Sequence, residues 1–283
     1  VRKVLILGCK GTLGQALMAN FNLSEYEVVG WDREEADITS LDIKGKIIDL
    51  APQLIINATG YNAVDKCEVD PLEKEVAYKI NTEAPKFLAE VSKEIDAVFI
   101  NYSSDYVFQG DKINGYAEND TPDPISVYGR TKYDGEKNVQ SVGGKYYIIR
   151  PSRIFGKPGI SNQSKKSFVD VMVGKIKESE IKVVDEERGS PTYAPDLADF
   201  TRQLVEQNLP YGIYHGANSG SCTWFEWAKE IFNILESGPK IMAVSGSEFP
   251  RPAKRPMYSE LINTKTKLQR SWQEALKEYL TVV

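Results

Sequence analysis

Histidine is nearly absent: His215 is the only one in 283 residues. Zinc catalysis built on several histidines is thereby excluded, and a histidine-based triad would have to run through that one side chain. Cysteine is sparse too. Cys9, Cys67 and Cys222 are too few and too scattered for a disulfide framework or a thiolate metal site. Neither sign of charge is in large excess, with 35 Lys+Arg against 40 Asp+Glu and a formal charge of −5. A nucleic-acid binder would carry a strong basic excess, so no nucleic-acid partner is expected. No segment reaches the roughly 18 apolar residues of a membrane span. The apolar run after Arg2-Lys3 is four residues long, short of a signal-peptide core of about 7–15. The expectation is a cytoplasmic protein without a membrane partner.

What is present is a core-forming pattern. Hydrophobic residues make up 41%, enough at this length to bury a sizeable core. A domain prior of about 150 residues gives roughly two domains. Short apolar runs occur at 3–7, 26–31, 53–57, 97–101 and 145–150. Runs of that kind suit parallel strands covered on both faces. Helical stretches are expected between them, at 13–21, 41–50, 71–95 (broken near Pro85) and 127–142. This β-α-β-α order predicts an α/β fold with a Rossmann-type doubly wound parallel sheet.

The texture changes after Arg150. Pro151 ends the strand, and a Gly/Ser/Asn/Lys-rich stretch runs over 156–166. A helix at 167–179, a strand at 181–184, a helix at 195–207 and a short strand at 212–215 are expected. Thr223 and Glu226 form a capping-box pattern before a helix at 224–235. Pro250, Pro252 and Pro256 punctuate a loop before two expected C-terminal helices. Residues 1–150 thus form the sheet domain, with returns to the sheet near 167–184 and 196–235. Residues 151–283 supply a smaller, interleaved, discontinuous C-terminal lobe.

Gly8-Cys9-Lys10-Gly11-Thr12-Leu13-Gly14 lies between the first strand and the first helix. In that setting glycines allow a tight turn and let backbone N–H groups approach a pyrophosphate at the helix N-terminus. Asp32 follows Gly14 by 18 residues, near the offset of about 20 expected for an acidic group on the adenine ribose. It favours NADH, whereas Arg33 beside it favours NADPH, and the two readings stay open. Cys9 has only Lys10 nearby to activate it.

Tyr128 and Lys132 stand at i and i+4, on one helix face. A lysine ammonium next to a phenol favours the phenolate, so a Tyr128 pKa below about 10 is expected. Such a pair serves as proton donor and acceptor. Tyr133 and Lys137 repeat the spacing one turn deeper and act as an internal control, read as a surface pair. Ser103-Ser104, at the end of the fourth strand, is a turn if taken alone. Placed with the glycine loop and Tyr128/Lys132, its hydroxyl is a candidate partner for a substrate oxygen. His215 reads as a packed, hydrogen-bonded histidine, and Trp224 and Trp227 as core residues.

Together these residues resemble the dTDP-4-dehydrorhamnose reductase family of the extended short-chain dehydrogenases/reductases. The matching stretches are 57–65, 80–81, 103–108, 127–132, 190–192, 212–215, 223–224 and 255–261, in family order over nearly the whole chain. The resemblance implies hydride transfer from NADPH or NADH to the C4 ketone of a dTDP-linked 4-keto-6-deoxy sugar. It makes Tyr128 the proton donor, Lys132 its partner and a nicotinamide-ribose ligand, Ser104 the contact to the reacting oxygen, and Asp105 a neighbour of the sugar. Cofactor contacts are implied for Gly8, Gly11, Thr12, Leu13, Gly14, Asp32, Arg33, Asp37, Ile38, Ala58, Thr59, Tyr61, Asn81 and Ser103. Substrate contacts are implied for Arg153 and for Arg255, the latter at the diphosphate. A monomer or weak homodimer is expected.

Departures narrow the reading. Related 4,6-dehydratases carry an Asp-Glu pair after the hydroxyl residue, and here the Glu slot holds Tyr106, which favours ketone reduction over dehydration. The family's usual Ser-Trp pair is Ser152-Arg153 here, which opens the identity of the sugar. The alternative for Arg153 is that it faces solvent or a phosphate. Gln15 stands where some members hold magnesium with an acidic residue, so no metal site is expected. Two alternatives remain: reduction of another nucleotide-linked ketosugar, and a non-catalytic dinucleotide-binding regulatory subunit like that of methionine adenosyltransferase.

Overall fold

The computed structural model describes residues 1–161 and 164–282. Asn162 and Gln163, within the stretch 156–166, lie outside the described residues. Six strands form one parallel sheet: β1 (Arg2–Leu7), β2 (Tyr26–Trp31), β3 (Leu54–Asn57), β4 (Val98–Tyr102), β5 (Tyr146–Arg150) and β10 (Gly212–His215). Their spatial order is β2-β1-β3-β4-β5-β10. The order reverses between β1 and β3, and ligands of doubly wound sheets bind in the crevice beyond the strand ends at such a reversal.

The alternation of side chains explains the layers. Val4 and Ile6 point to one face, where they meet Leu13 and Leu17 of α1 (Thr12–Asn20) and Leu197, Phe200 and Leu204 of α8 (Ala194–Glu206). Leu5 and Leu7 point to the other, against α2 (Ile43–Leu50), α5 (Ala84–Glu94) and α6 (Val127–Val142). With both faces covered, the strands need continuous apolar sequence.

A separate core lies beyond β5. It joins Phe155, Val169 and Met172 to Trp227, Ile231, Trp272 and Leu276. These come from β6 (Ile154–Phe155), α7 (Phe168–Gly174), α9 (Trp224–Ile234) and α10 (Trp272–Val282). Three two-stranded sheets surround it: β6 with β9 (Thr192–Tyr193), β7 (Glu180–Val184) with β12 (Lys240–Val244), and β8 (Arg188–Gly189) with β11 (Cys222–Thr223).

Four expectations are corrected. The segment 167–184 does not return to the main sheet, because β7 finds its parallel partner in β12; β10 alone among the later strands joins that sheet. The helix expected over 167–179 stops at Gly174, where the chain turns through Lys175. The helical stretch 71–95 is not broken at Pro85. α4 (Pro71–Tyr78) runs through a π-helical turn, Lys79–Glu83, into α5, whose first turn accommodates Pro85. Finally, one C-terminal helix exists among the described residues, not two. Residues 258–262 instead run extended, with Tyr116 N–H donating to Glu260 O and Ile262 N–H to Tyr116 O.

Candidate active site

The crevice is built from glycine. Gly8 has φ of +78°, and a Cβ there would come within 3.1 Å of Ala58 and Thr59, so the loops after β1 and β3 touch. A Cβ on Gly14 would lie 2.0 Å from Gly8 O. Helix α1 opens at Gly11 with no side-chain cap and no acidic residue in its first turn. An uncapped N-terminus of that kind presents free N–H donors and a positive dipole end, which fits a phosphate. Thr59 Oγ1 donates to Asn57 Oδ1 at 2.6 Å, and Asn57 Nδ2 donates to Asn101 Oδ1 at 2.8 Å.

Beyond β2, both carboxylate oxygens of Asp32 accept main-chain N–H groups, from Lys10 at 3.1 Å and from Arg33 at 2.8 Å. Arg33 is exposed and makes no ion pair among the described residues. Asp37 Oδ1 holds the N–H and hydroxyl of Thr39, and Ile38 is buried. Burial and the Asp32 charge push the Cys9 thiol up, so the structure gives it no activation.

Ser126 caps α6, accepting from Gly129 N–H. Tyr128 and Lys132 then fall on its buried face, 8% and 7% exposed. Lys132 Nζ donates to Tyr102 O at 3.2 Å, at the end of β4. A Cβ on Gly60 would lie 3.0 Å from that Nζ, so Lys132 passes close to the loop after β3. Asn81, in the π-turn, accepts from Tyr61 N–H and donates to Tyr61 O and Thr131 Oγ1, tying the β3 loop to α6. The control pair behaves as a surface pair: Lys137 is exposed and bonds Asp134.

The titration of this pair departs from expectation. Burial raises the Tyr128 phenol above its ordinary value, and a hydrogen bond with Ser104 only partly offsets it. Burial also lowers Lys132 to about 8, against the pull of the Glu136 carboxylate. Desolvation is the dominant cause for both groups.

Ser103 Oγ is buried without a hydrogen-bond partner among the described residues, an orphaned donor beside the crevice that suits a polar ligand group. Ser104 Oγ accepts from Tyr106 N–H at 3.2 Å and donates to Asp105 Oδ1 at 3.1 Å. Asp105 is 3% exposed and also accepts Ser152 Oγ at 2.8 Å and Ser259 Oγ at 2.7 Å. Its carboxylate thus accepts three serine hydroxyls inside the protein. The Tyr106 ring meets that of Tyr128 edge-on at 5.5 Å.

This geometry was compared with known proteins. The family model described as RmlD substrate binding domain matches residues 2–283. The chain belongs to that family. An Aggregatibacter actinomycetemcomitans relative of the RmlD chain, named dTDP-4-dehydrorhamnose reductase, is 35% identical, over 97% of each chain. A Streptomyces antibioticus relative named "Probable dTDP-4,6-dihydroxy-2-methyloxan-3-one 4-ketoreductase" is 34% identical, over 97% of this chain and 93% of its own. A dTDP-4-dehydrorhamnose reductase from Bacillus anthracis str. Ames, solved in complex with NADP, superposes with a TM-score of 0.93 at 36% identity, over 100% of this chain and 99% of that one. This RmlD family member is an oxidoreductase with a Rossmann-type sheet.

The remaining predicted residues form the far lip of the crevice in this RmlD chain. Arg153 does not face solvent. Its guanidinium lies 3.9 Å from the centre of the Trp224 ring, and its two terminal nitrogens donate to Cys222 O and Glu187 O, each at 2.8 Å. Its backbone adopts φ of +46°, an uncommon conformation for a non-glycine residue. Trp224 is therefore a stacking partner and only partly core, whereas Trp227 is 1% exposed. Arg255 Nη2 pairs with Asp65 Oδ2 at 2.7 Å, and Arg251 pairs with the buried Glu187. The loop 250–256 thus straps the Asp65 side of the crevice to the Glu187 side.

Four residues of the site were given no role in the sequence reading: Ser152, Glu136, Glu187 and Arg251. Glu136 carried a signal, since it follows Lys132 by one helical turn on the same face. The other three act through partners 34 to 64 positions away, which no local pattern reveals.

Proposed function

We propose that this protein reduces the C4 ketone of a dTDP-linked 4-keto-6-deoxy sugar, dTDP-4-dehydro-L-rhamnose first, to the alcohol. The observation that carries the reading is the convergence of Ser104, Tyr128 and Lys132 beside the glycine crevice at the strand reversal. A reduced nicotinamide dinucleotide, NADPH or NADH, supplies the hydride when bound. Gly11, Thr12 and Leu13 would hold its pyrophosphate at the α1 N-terminus, with Ser103, Asn81 and Lys132 toward the nicotinamide end.

The titration of the site suits reduction. A phenol with a raised pKa is fully protonated at neutral pH, as a donor must be. The oxygen of a developing secondary alkoxide is far more basic than a phenolate, so the proton moves from Tyr128 to it. Lys132, at about 8, remains mostly charged near pH 7 and neutralises the phenolate left behind. Ser104 holds the ketone oxygen in line. Arg255 and Arg251 suit the diphosphate because planar guanidinium groups bind phosphate in a bidentate way.

Following nicotinamide absorbance with dTDP-4-dehydro-L-rhamnose tests the reading. Wild type should turn over, and Tyr128→Phe should lose activity by at least about 100-fold, the usual range for a proton donor. Equal rates would remove Tyr128 from its role. Arg153 favours a second reading, in which the sugar differs from 6-deoxy-4-keto-L-mannose. A panel of dTDP-, GDP- and UDP-ketosugars separates the two.

A further inference from the structure

Asp105 accepts three serine hydroxyls, and the bonds are unequal. Oδ2 accepts two hydroxyls, from Ser259 at 2.7 Å and Ser152 at 2.8 Å. Oδ1 accepts one longer bond, from Ser104 at 3.1 Å. All four residues are buried. A serine hydroxyl has one hydrogen to give. While Ser104 gives its hydrogen to Asp105, it can only accept toward the crevice. To hold a ketone oxygen it must release that bond.

We propose that Ser259, assisted by Ser152, is a positioning residue that acts through Asp105: by saturating Oδ2 it leaves Ser104 loosely held on Oδ1, free to turn its hydrogen to the substrate oxygen. The backbone fixes Ser259 for this task. Its N–H donates to Arg188 O at 2.8 Å, while its hydroxyl lies 3.4 Å from that same carbonyl and nearer Asp105. The hydrogen therefore goes to the carboxylate. The proposal rests on the ketone-reductase reading for its catalytic meaning, but the hydroxyl-to-carboxylate coupling stands on geometry alone.

The charged and titratable groups facing Asp105 are Arg153, Tyr106 and Tyr128, each from a different segment. Burial raises the Asp105 pKa, and the Ser259 and Ser152 hydroxyls and the Arg153 charge pull it back. Loss of the Ser259 hydroxyl should push it further up. Asp105 would then carry a proton of its own over a wider pH range and compete as a donor for the Ser104 oxygen.

The experiment pairs carboxyl titration with kinetics. In protein labelled with 13C at aspartate carboxyls, the Asp105 signal is assigned by its loss in Asp105→Asn. Its midpoint should rise in Ser259→Ala and return in Ser259→Thr, which restores a hydroxyl. Ser152→Ala gives a second test if Ser259→Ala does not fold. With ketosugar, the acid limb of the kcat profile should move the same way, kcat at pH 7 should fall about tenfold, and KM should change little. An Asp105 midpoint unmoved in Ser259→Ala, or displaced equally in Ala and Thr variants, overturns the proposal. A shifted midpoint in a protein that reduces no ketosugar upholds the coupling and overturns the functional reading instead.

Discussion

Arg150 Nη2 and Glu136 Oε2 lie 2.6 Å apart with both side chains excluded from solvent. A second bond, Arg150 Nε to Glu136 Oε1 at 2.8 Å, makes the contact a planar fork. Glu136 sits one turn beyond Lys132 on α6, so a pair that anchors the helix to β5 also sets the field at Lys132. Breaking a buried pair by removing one charge leaves the other unpaired.

Glu136→Gln should therefore cost about 3–5 kcal/mol of stability, measured by urea denaturation. It should also lower Lys132 below its value of about 8, because the Glu136 carboxylate raises it. In the folded variant the alkaline limb of the rate profile should move to lower pH. An unmoved limb would separate the two roles of Glu136.

His215 supplies a pH signature. Burial and the Arg150 charge hold its imidazole at about 4, against the opposing pull of Glu118. In the unfolded chain the value is about 6.5. The unfolded state thus binds a proton that the native state refuses, so this contribution is fully present above pH 6.5 and is lost as pH falls toward 4. Tm should decline over that interval, and His215→Gln should flatten the decline. Equal slopes for both proteins would contradict the buried neutral imidazole.

Gly14→Ala tests the crevice. Its methyl would sit 2.0 Å from Gly8 O, so the loop must move. The expected cost is about 1–3 kcal/mol from overpacking, with dinucleotide affinity reduced more than tenfold by calorimetry because the N–H cradle at α1 is displaced.

Arg33→Ala tests cofactor choice. Asp32 already accepts two main-chain N–H groups, and Arg33 is exposed and unpaired among the described residues. Preference for NADPH is expected. The variant should weaken NADPH binding about tenfold, equivalent to about 1.4 kcal/mol, and leave NADH within about twofold. Equal losses for both would place Arg33 elsewhere than at the 2′-phosphate.

The parts of this molecule that were legible in the sequence are those written in local physics. Strands β1 to β5 announce themselves by apolar runs because both faces are covered, and α6 spans Val127–Val142 as its periodicity indicates. The Thr223/Glu226 capping box forms as its spacing implies. Tyr128 and Lys132 share a helix face for the same reason. The pairing of β7 with β12 was not legible, since strands half exposed to solvent carry no mark of their partner. Nor was the sign of the Tyr128 shift. Its position on the helix is local information, but its burial is produced by Tyr106, Cys67 and the β4 turn, which only the assembled fold brings together.

The serines on Asp105 come from positions 104, 152 and 259. A chain is synthesised from its N-terminus at about 5–20 residues per second. The glycine loop and the β3 turn therefore leave the ribosome roughly 10–40 seconds before Ser259 does. During that interval the growing chain carries the makings of the glycine crevice without the last hydroxyl on Asp105. The order of the sequence thus becomes an order in time, with the Asp105 cluster completed last.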